Sequence, residues 1–127
     1  MMYSFFVPGP MPGMNEIVSA AKGCGGRGIG YSKMKAEWTG LITRIIRNRK
    51  IPPMGAVAAK FLWTERKKNR NPDNIAAGQK FVWDALQAAG VIKNDGWSEV
   101  KAFRHSFQVG NVPGVEVMIE EMEAETP

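Results

Sequence analysis

Three aspartates, Asp73, Asp84 and Asp95, fall within 23 residues and are the only aspartates of the 127-residue chain. Lys80 sits among them. The glutamates gather elsewhere, at Glu116, Glu120, Glu121, Glu123 and Glu125 near the C-terminus. Asp and Glu are near-equivalent as solubilising charges, so this segregation suggests aspartates placed for geometry. The apolar spacing predicts a helix over residues 74–89. At about 100° per residue from Asp73, Lys80 falls near about −20° and Asp84 near about +20°. Ile75, Gly78, Val82, Ala85, Leu86 and Ala89 fall on the opposite side. Such a helix buries one face and presents Asp73, Lys80 and Asp84 on the other. Asp95 follows in the turn of residues 93–97. Carboxylates and an ammonium on one surface suit a divalent cation that carries a phosphate. A plain surface helix fits the same pattern. Lys80 and Asp84 would then be an i,i+4 pair worth a few tenths of a kcal/mol. Asp73 would be a helix cap and Asp95-Gly96 a turn.

The charge distribution favours a polyanion. Residues 1–72 hold 13 Lys/Arg against 3 Glu, a balance of +10, and residues 73–127 hold 4 against 9 acids, a balance of −5. Lys22, Arg27, Lys33, Lys35, Arg66, Lys67, Lys68 and Arg70 are the candidate phosphate contacts. The last four of these run directly into Asp73. Acids beside a phosphate-binding surface repel phosphate unless a divalent cation intervenes, which strengthens the metal reading. A single cysteine, Cys24, can form neither an internal disulfide nor a zinc site. No apolar run reaches the ~20 residues of a membrane helix, and no signal-peptide pattern opens the chain, so a cytoplasmic protein without membrane contact is expected.

The elements that must position these residues follow from periodicity and turn signals. Residues 3–7 read as a strand stopped by Pro8-Gly9-Pro10, and residues 8–30 as a loop with a glycine-rich basic second half. Residues 32–49 read as a helix, with Ser32 as its cap and Pro52-Pro53 beyond its end. Residues 56–64 alternate, with Val57, Ala59, Phe61 and Trp63 on one face of a strand. Gly90 is a stop signal for the helix that starts at Asp73. Residues 98–109 and 114–122 read as two strands of a hairpin. The expectation is one α+β domain over 1–127: a small mixed sheet with two packed helices, in the order strand-helix-strand-helix-strand-strand. His105 reads as structural, and Trp97 as a core anchor in preference to a base-stacking platform. The last few residues read as a tail.

The run from Asn71-Pro72-Asp73-Asn74 through Lys80 and Asp84-Ala85-Leu86 to Asp95 resembles the signature of the RusA-type Holliday-junction resolvases. Pro8-Gly9-Pro10 and Asn15 resemble that family's Pro-Gly and Asn opening, so the likeness covers nearly the whole chain. It implies that Asp73 and Asp95 bind metal, that Lys80 is an essential lysine, and that Asn74 and Asp84 accompany them. The family's first aspartate falls here at Asn71, a neutral oxygen donor, and Glu65 is a candidate to supply the missing charge. The resemblance further implies Mg²⁺ as cofactor, with Mn²⁺ able to substitute, and a homodimer acting on four-way junctions and other branched DNA. DNA recombination and repair, often on prophages, is the implied setting. Two alternatives stay open: a junction-binding protein weakened or inactivated by Asn71, and a general basic nucleic-acid-binding module.

Overall fold

The computed structural model describes residues 1–26 and 29–123. Arg27 and the tail of residues 124–127 lie outside the described residues. The elements run β1 (Met2–Pro8), α1 (Met14–Gly26), α2 (Ile29–Asn48), β2 (Ala56–Glu65), α3 (Pro72–Ala76), α4 (Gln79–Ala88), β3 (Val100–Val109) and β4 (Gly114–Met122). The strands form one mixed sheet in the order β1-β4-β2-β3. β4 is antiparallel to both β1 and β2, and β3 is parallel to β2. The α+β class and the mixed sheet are as the sequence predicts.

Alternation builds the layers. Phe5 and Val7 of β1, Val57, Ala59, Phe61 and Trp63 of β2, and Val115, Val117 and Ile119 of β4 are buried on one face. They pack against Ile42 and Ile46 of α2 and Phe81, Val82, Ala85 and Leu86 of α4 in one hydrophobic core. The opposite face carries Phe6, Lys60, Glu116 and Glu120, all exposed, as expected for a sheet covered on one side only. Among the described residues no helix is long and apolar enough to cross a membrane.

Three expectations are corrected. First, β3 and β4 do not form a hairpin. The α3–α4 segment carries the chain from β2 to a parallel β3, as a β-α-β crossover does. The chain then passes over the end of β2, where the Gly110 N–H donates to the Glu65 carbonyl at 2.9 Å, and β4 enters between β2 and β1. Second, residues 8–30 are not all loop, because α1 occupies 14–26. Its glycines and small residues give a poor helical signal, and tertiary contacts override it. The Gly13 N–H donates to Glu16 Oε1 at 2.7 Å, half of a capping box. Asn74, from α3, replaces the cap side chain that Gly13 lacks, accepting from the Asn15 N–H at 2.8 Å. Third, the predicted helix from Asp73 is two helices. Gly78, Lys80 and Phe81 donate to carbonyls three residues back, those of Ile75, Ala77 and Gly78. These tighter turns advance the chain by about 120° per residue, so Asp73 does not share a straight stripe with Lys80 and Asp84. α2 also begins at Ile29, ahead of the predicted Ser32 cap.

Two glycines are needed for their backbones. Gly90 (φ 79°) closes α4 in a Schellman motif, with Gly90 N–H on the Gln87 carbonyl at 3.1 Å and Val91 N–H on Leu86 at 2.9 Å. Gly114 (φ 150°) opens β4 against β1, where a Cβ would strike the Val7 carbonyl and the Phe6 ring. At Gly90 a Cβ would meet open space. Gly90→Ala is therefore expected to cost only the conformational term, about 1 kcal/mol. Gly114→Ala adds a steric clash to that term and should cost at least about 2 kcal/mol. Urea denaturation of both variants checks the ranking.

Candidate functional site

Lys80 and Asp95 come together. Lys80 lies in the first turn of α4 and Asp95 just beyond the Schellman turn that ends the same helix. Both are exposed. They line one cleft of about 280 Å³ with Gln79, Trp83, Val100 and Phe103. Trp83 forms its apolar wall, edge-on to Phe61 at 5.9 Å and to Phe103 at 6.0 Å, with its indole N–H on Gln79 Oε1 at 3.1 Å. An ammonium and a carboxylate at the mouth of a cleft with an apolar wall can hold a phosphate and a cation side by side.

Asp73 and Asn71 sit on a different element. Asp73 is exposed in the first turn of α3 and is not the cap, a position that Asn71 takes. Asn71 makes no capping hydrogen bond through its side chain. It lines a second cleft, of about 290 Å³, with Lys67, Lys68, Pro72, Trp63 and Phe107 among the walls. The aspartates are thus distributed along the α3–α4 segment and the turn after it. Among the described residues no three Asp, Glu, His or Cys side chains converge into a group that could hold a metal ion. One or two carboxylates suffice for Mg²⁺ when water and a substrate phosphate complete the shell, so Asp95 alone, beside Lys80, fits an ion that binds with its substrate.

Glu65 and Arg70 take a structural part. Arg70 Nε and Nη2 donate to the two Glu65 carboxylate oxygens at 3.0 and 2.8 Å. Its Nη1 reaches the Met11 carbonyl and Glu16 Oε1, both at 2.9 Å. The hydrogen bond with Glu65 raises the Arg70 pKa against the opposing cost of burial, so the guanidinium stays charged. Glu65 therefore neutralises Arg70, and Arg70 is tied inward. Asn74 likewise serves α1, through Asn15. Asp84 faces α2, where its carboxylate lies 3.8 Å from Lys35 Nζ.

The remaining candidates divide by exposure. Arg66, Lys67 and Lys68 are exposed on the loop between β2 and α3, Lys33 on α2 and Lys22 on α1. His105 is half-buried, stacks on Phe61 at 4.6 Å, and accepts the Trp63 indole N–H on Nδ1 at 2.8 Å. Burial lowers its pKa. Trp97 corrects the core-anchor expectation outright, being 95% exposed in the turn before β3. The signal for this was its polar surroundings, Asn94-Asp95-Gly96 before it and Ser98-Glu99 after it. Phe103, which carried no signal in the sequence, is 50% exposed because the helices do not fully cover β3.

Neither a protein-family model nor a curated protein matches the chain.

Two predictions follow from this geometry. Arg70→Leu leaves Glu65 and the Met11 carbonyl unpaired and should cost about 2–4 kcal/mol. Arg66→Gln, Lys67→Gln and Lys68→Gln should each stay within about 0.5 kcal/mol, and guanidinium denaturation separates the two classes. The neutral His105 ring is favoured by folding. Its contribution is complete above its ordinary pKa near 6.5 and is lost as pH falls through the lowered folded value. Stability should therefore fall as pH drops below about 6.5, and His105→Gln should flatten that part of the profile.

Proposed function

We propose that the chain is a Mg²⁺-dependent endonuclease of branched DNA, working in the cytoplasm as a homodimer on four-way junctions in recombination and repair. The observation that carries this reading is the shared cleft of Lys80 and Asp95, two residues that the resemblance to the RusA-type resolvases assigns to catalysis. The exposed cations Arg66, Lys67 and Lys68 lie on the loop leading to Asn71 and Asp73, and they supply a phosphate-binding surface next to the acids.

In this reading Asp95 would hold Mg²⁺ beside Lys80, with water and the substrate phosphate completing its shell, Asp73 and the Asn71 amide oxygen would be donors at α3, and the ion would activate water and stabilise the leaving oxygen. Lys80 donates a hydrogen bond to a non-bridging phosphate oxygen and offsets the charge that grows there. The apolar wall of Trp83 and Phe103 limits water around it and strengthens that interaction. Arg66, Lys67 and Lys68 hold the flanking backbone. A second reading, a junction-binding protein with little cleavage, draws on the neutral Asn71 and on the lack of a three-carboxylate group among the described residues.

A labelled four-way junction with Mg²⁺ separates the two. Asp95→Asn, Asp73→Asn and Lys80→Ala should each lower cleavage by about 10²-fold or more. The two Asp→Asn variants should bind the junction as well as or better than the parent, since each removes a charge that repels phosphate. Asn71→Asp should raise cleavage or Mg²⁺ affinity. Junction binding without cleavage in the parent, with activity gained in Asn71→Asp, would select the second reading. Cleavage unaffected by all three losses would remove these residues from the chemistry.

A further inference from the structure

Trp97 is the most exposed large apolar side chain of the described residues, at 95%. An indole buries about 150–250 Å² when it is covered, so leaving it wholly in water forgoes a large stabilisation. The turn that carries it is built. The Gly96 carbonyl accepts two N–H groups, from Glu99 at 3.2 Å and Val100 at 2.9 Å. The Asp95 N–H is held by Asn94 Oδ1 at 2.9 Å. Gly96 also sits tightly, since a Cβ there would come within 3.2 Å of the Asn94 amide. The backbone on both sides of Trp97 is therefore fixed by hydrogen bonds, and the ring is held out on a defined turn.

Its neighbours narrow what can cover it. Asp95 is two residues away, in the cleft with Lys80, and Phe103, half exposed, lines the same cleft. Lys93 is exposed just upstream. The ligand that matches an exposed indole, a second exposed ring and lysines within one small region is a flat heteroaromatic group on a phosphate chain. Bases inside a duplex are stacked on one another and offer no free face, whereas an unpaired base does.

We infer that Trp97 stacks on a nucleobase with a free face, unpaired in single-stranded DNA or unstacked at the opened branch point of a four-way junction, in a DNA whose backbone enters the Lys80–Asp95 cleft, so that this indole selects open DNA over linear duplex. The inference rests on the nucleic-acid reading above and assigns to it the feature of the substrate that is recognised. Trp97 binds substrate in this account and takes no part in bond cleavage.

Fluorescence can isolate the residue, because Trp63 and Trp83 are buried and Trp38 is partly buried. The iodide-accessible emission of the full-length chain should come chiefly from Trp97 and should fall to the small contribution of the partly buried Trp38 in Trp97→Phe. Titration with oligothymidine, or with a four-way junction, should protect that emission from iodide. A linear duplex should bind through the lysines without protecting it. Trp97→Ala should weaken oligothymidine and junction binding by roughly tenfold, the order found for loss of one stacked base, and should leave duplex binding and melting temperature unchanged. Trp97→Phe should retain part of the affinity. Equal weakening for all three DNAs, or no weakening, overturns the inference while leaving the DNA reading standing. Failure of the parent chain to bind any of them overturns both. A sedimentation coefficient that drops in Trp97→Ala would show a second copy of the chain seated on the indole, and that too overturns it.

Discussion

The guanidinium of Arg70 is the tie on which the site's framework depends. Four of its N–H contacts reach three separate parts of the chain: the end of β2 at Glu65, the proline-rich loop at Met11, and the first turn of α1 at Glu16. The Asn74 cap on α1 adds a second tie between the same two regions. The Pro-Gly-Asn opening and the Asn-Pro-Asp-Asn run, more than fifty residues apart in sequence, are thereby one structural unit. A partly buried fork of this kind is costly to break, because the Glu65 carboxylate left behind is poorly solvated. It also separates the cations by task. Arg70 is anchored, while Arg66, Lys67 and Lys68 stand out from the loop it anchors and remain free to meet solvent anions.

The sheet distributes exposure in a way that bears on the chemistry. α2 and α4 close over β1, β4 and β2, and the β3 edge is only partly covered. The cleft of Lys80 and Asp95 and the cleft of Asn71 both open along this edge, one against Phe103 and the other against Phe107. Apolar walls and exposed charges meet there because the helical layer ends there. A phosphate held at such a boundary would be stabilised more strongly than on open surface, since the nearby protein lowers the effective dielectric.

Local chemistry made much of this legible in the sequence. The alternation of Val57, Ala59, Phe61 and Trp63 gave β2 and its inward face, and Gly90 gave the end of α4. Lys80 and Asp95 were each candidates through the family resemblance, and they share a cleft, whereas Asp73, the expected metal partner of Asp95, stands on α3 outside that cleft's lining. What was hidden depended on distant residues. α1 was illegible because its cap comes from Asn74 and its sequence is rich in glycine. The false hairpin arose because two strands joined by a short glycine and proline turn fit that motif locally, and only the parallel demand of the crossover excludes it. The break at Gly78 misaligned the helical wheel, and Arg70 looked like a surface cation because its acid partners, Glu16 and Glu65, lie on other elements. Trp97 was misread by applying the general rule that tryptophans are buried to a turn with nothing above it.

The placement of β4 has a consequence for how the chain comes into being. Met2 is paired with Glu120 and Pro8 with Gly114, so β1 is bonded only to β4, more than a hundred residues further along the chain. During synthesis β2 and β3 can pair as soon as the crossover has left the ribosome, but β1 has no neighbour until β4 follows. Until then the nascent chain carries Phe5 and Val7 on an unmated strand. Such a segment invites association with other chains or capture by a chaperone. Closure of the sheet therefore waits for β4, and conditions that slow translation between β1 and β4 should bear on yield more than on the stability of the finished fold.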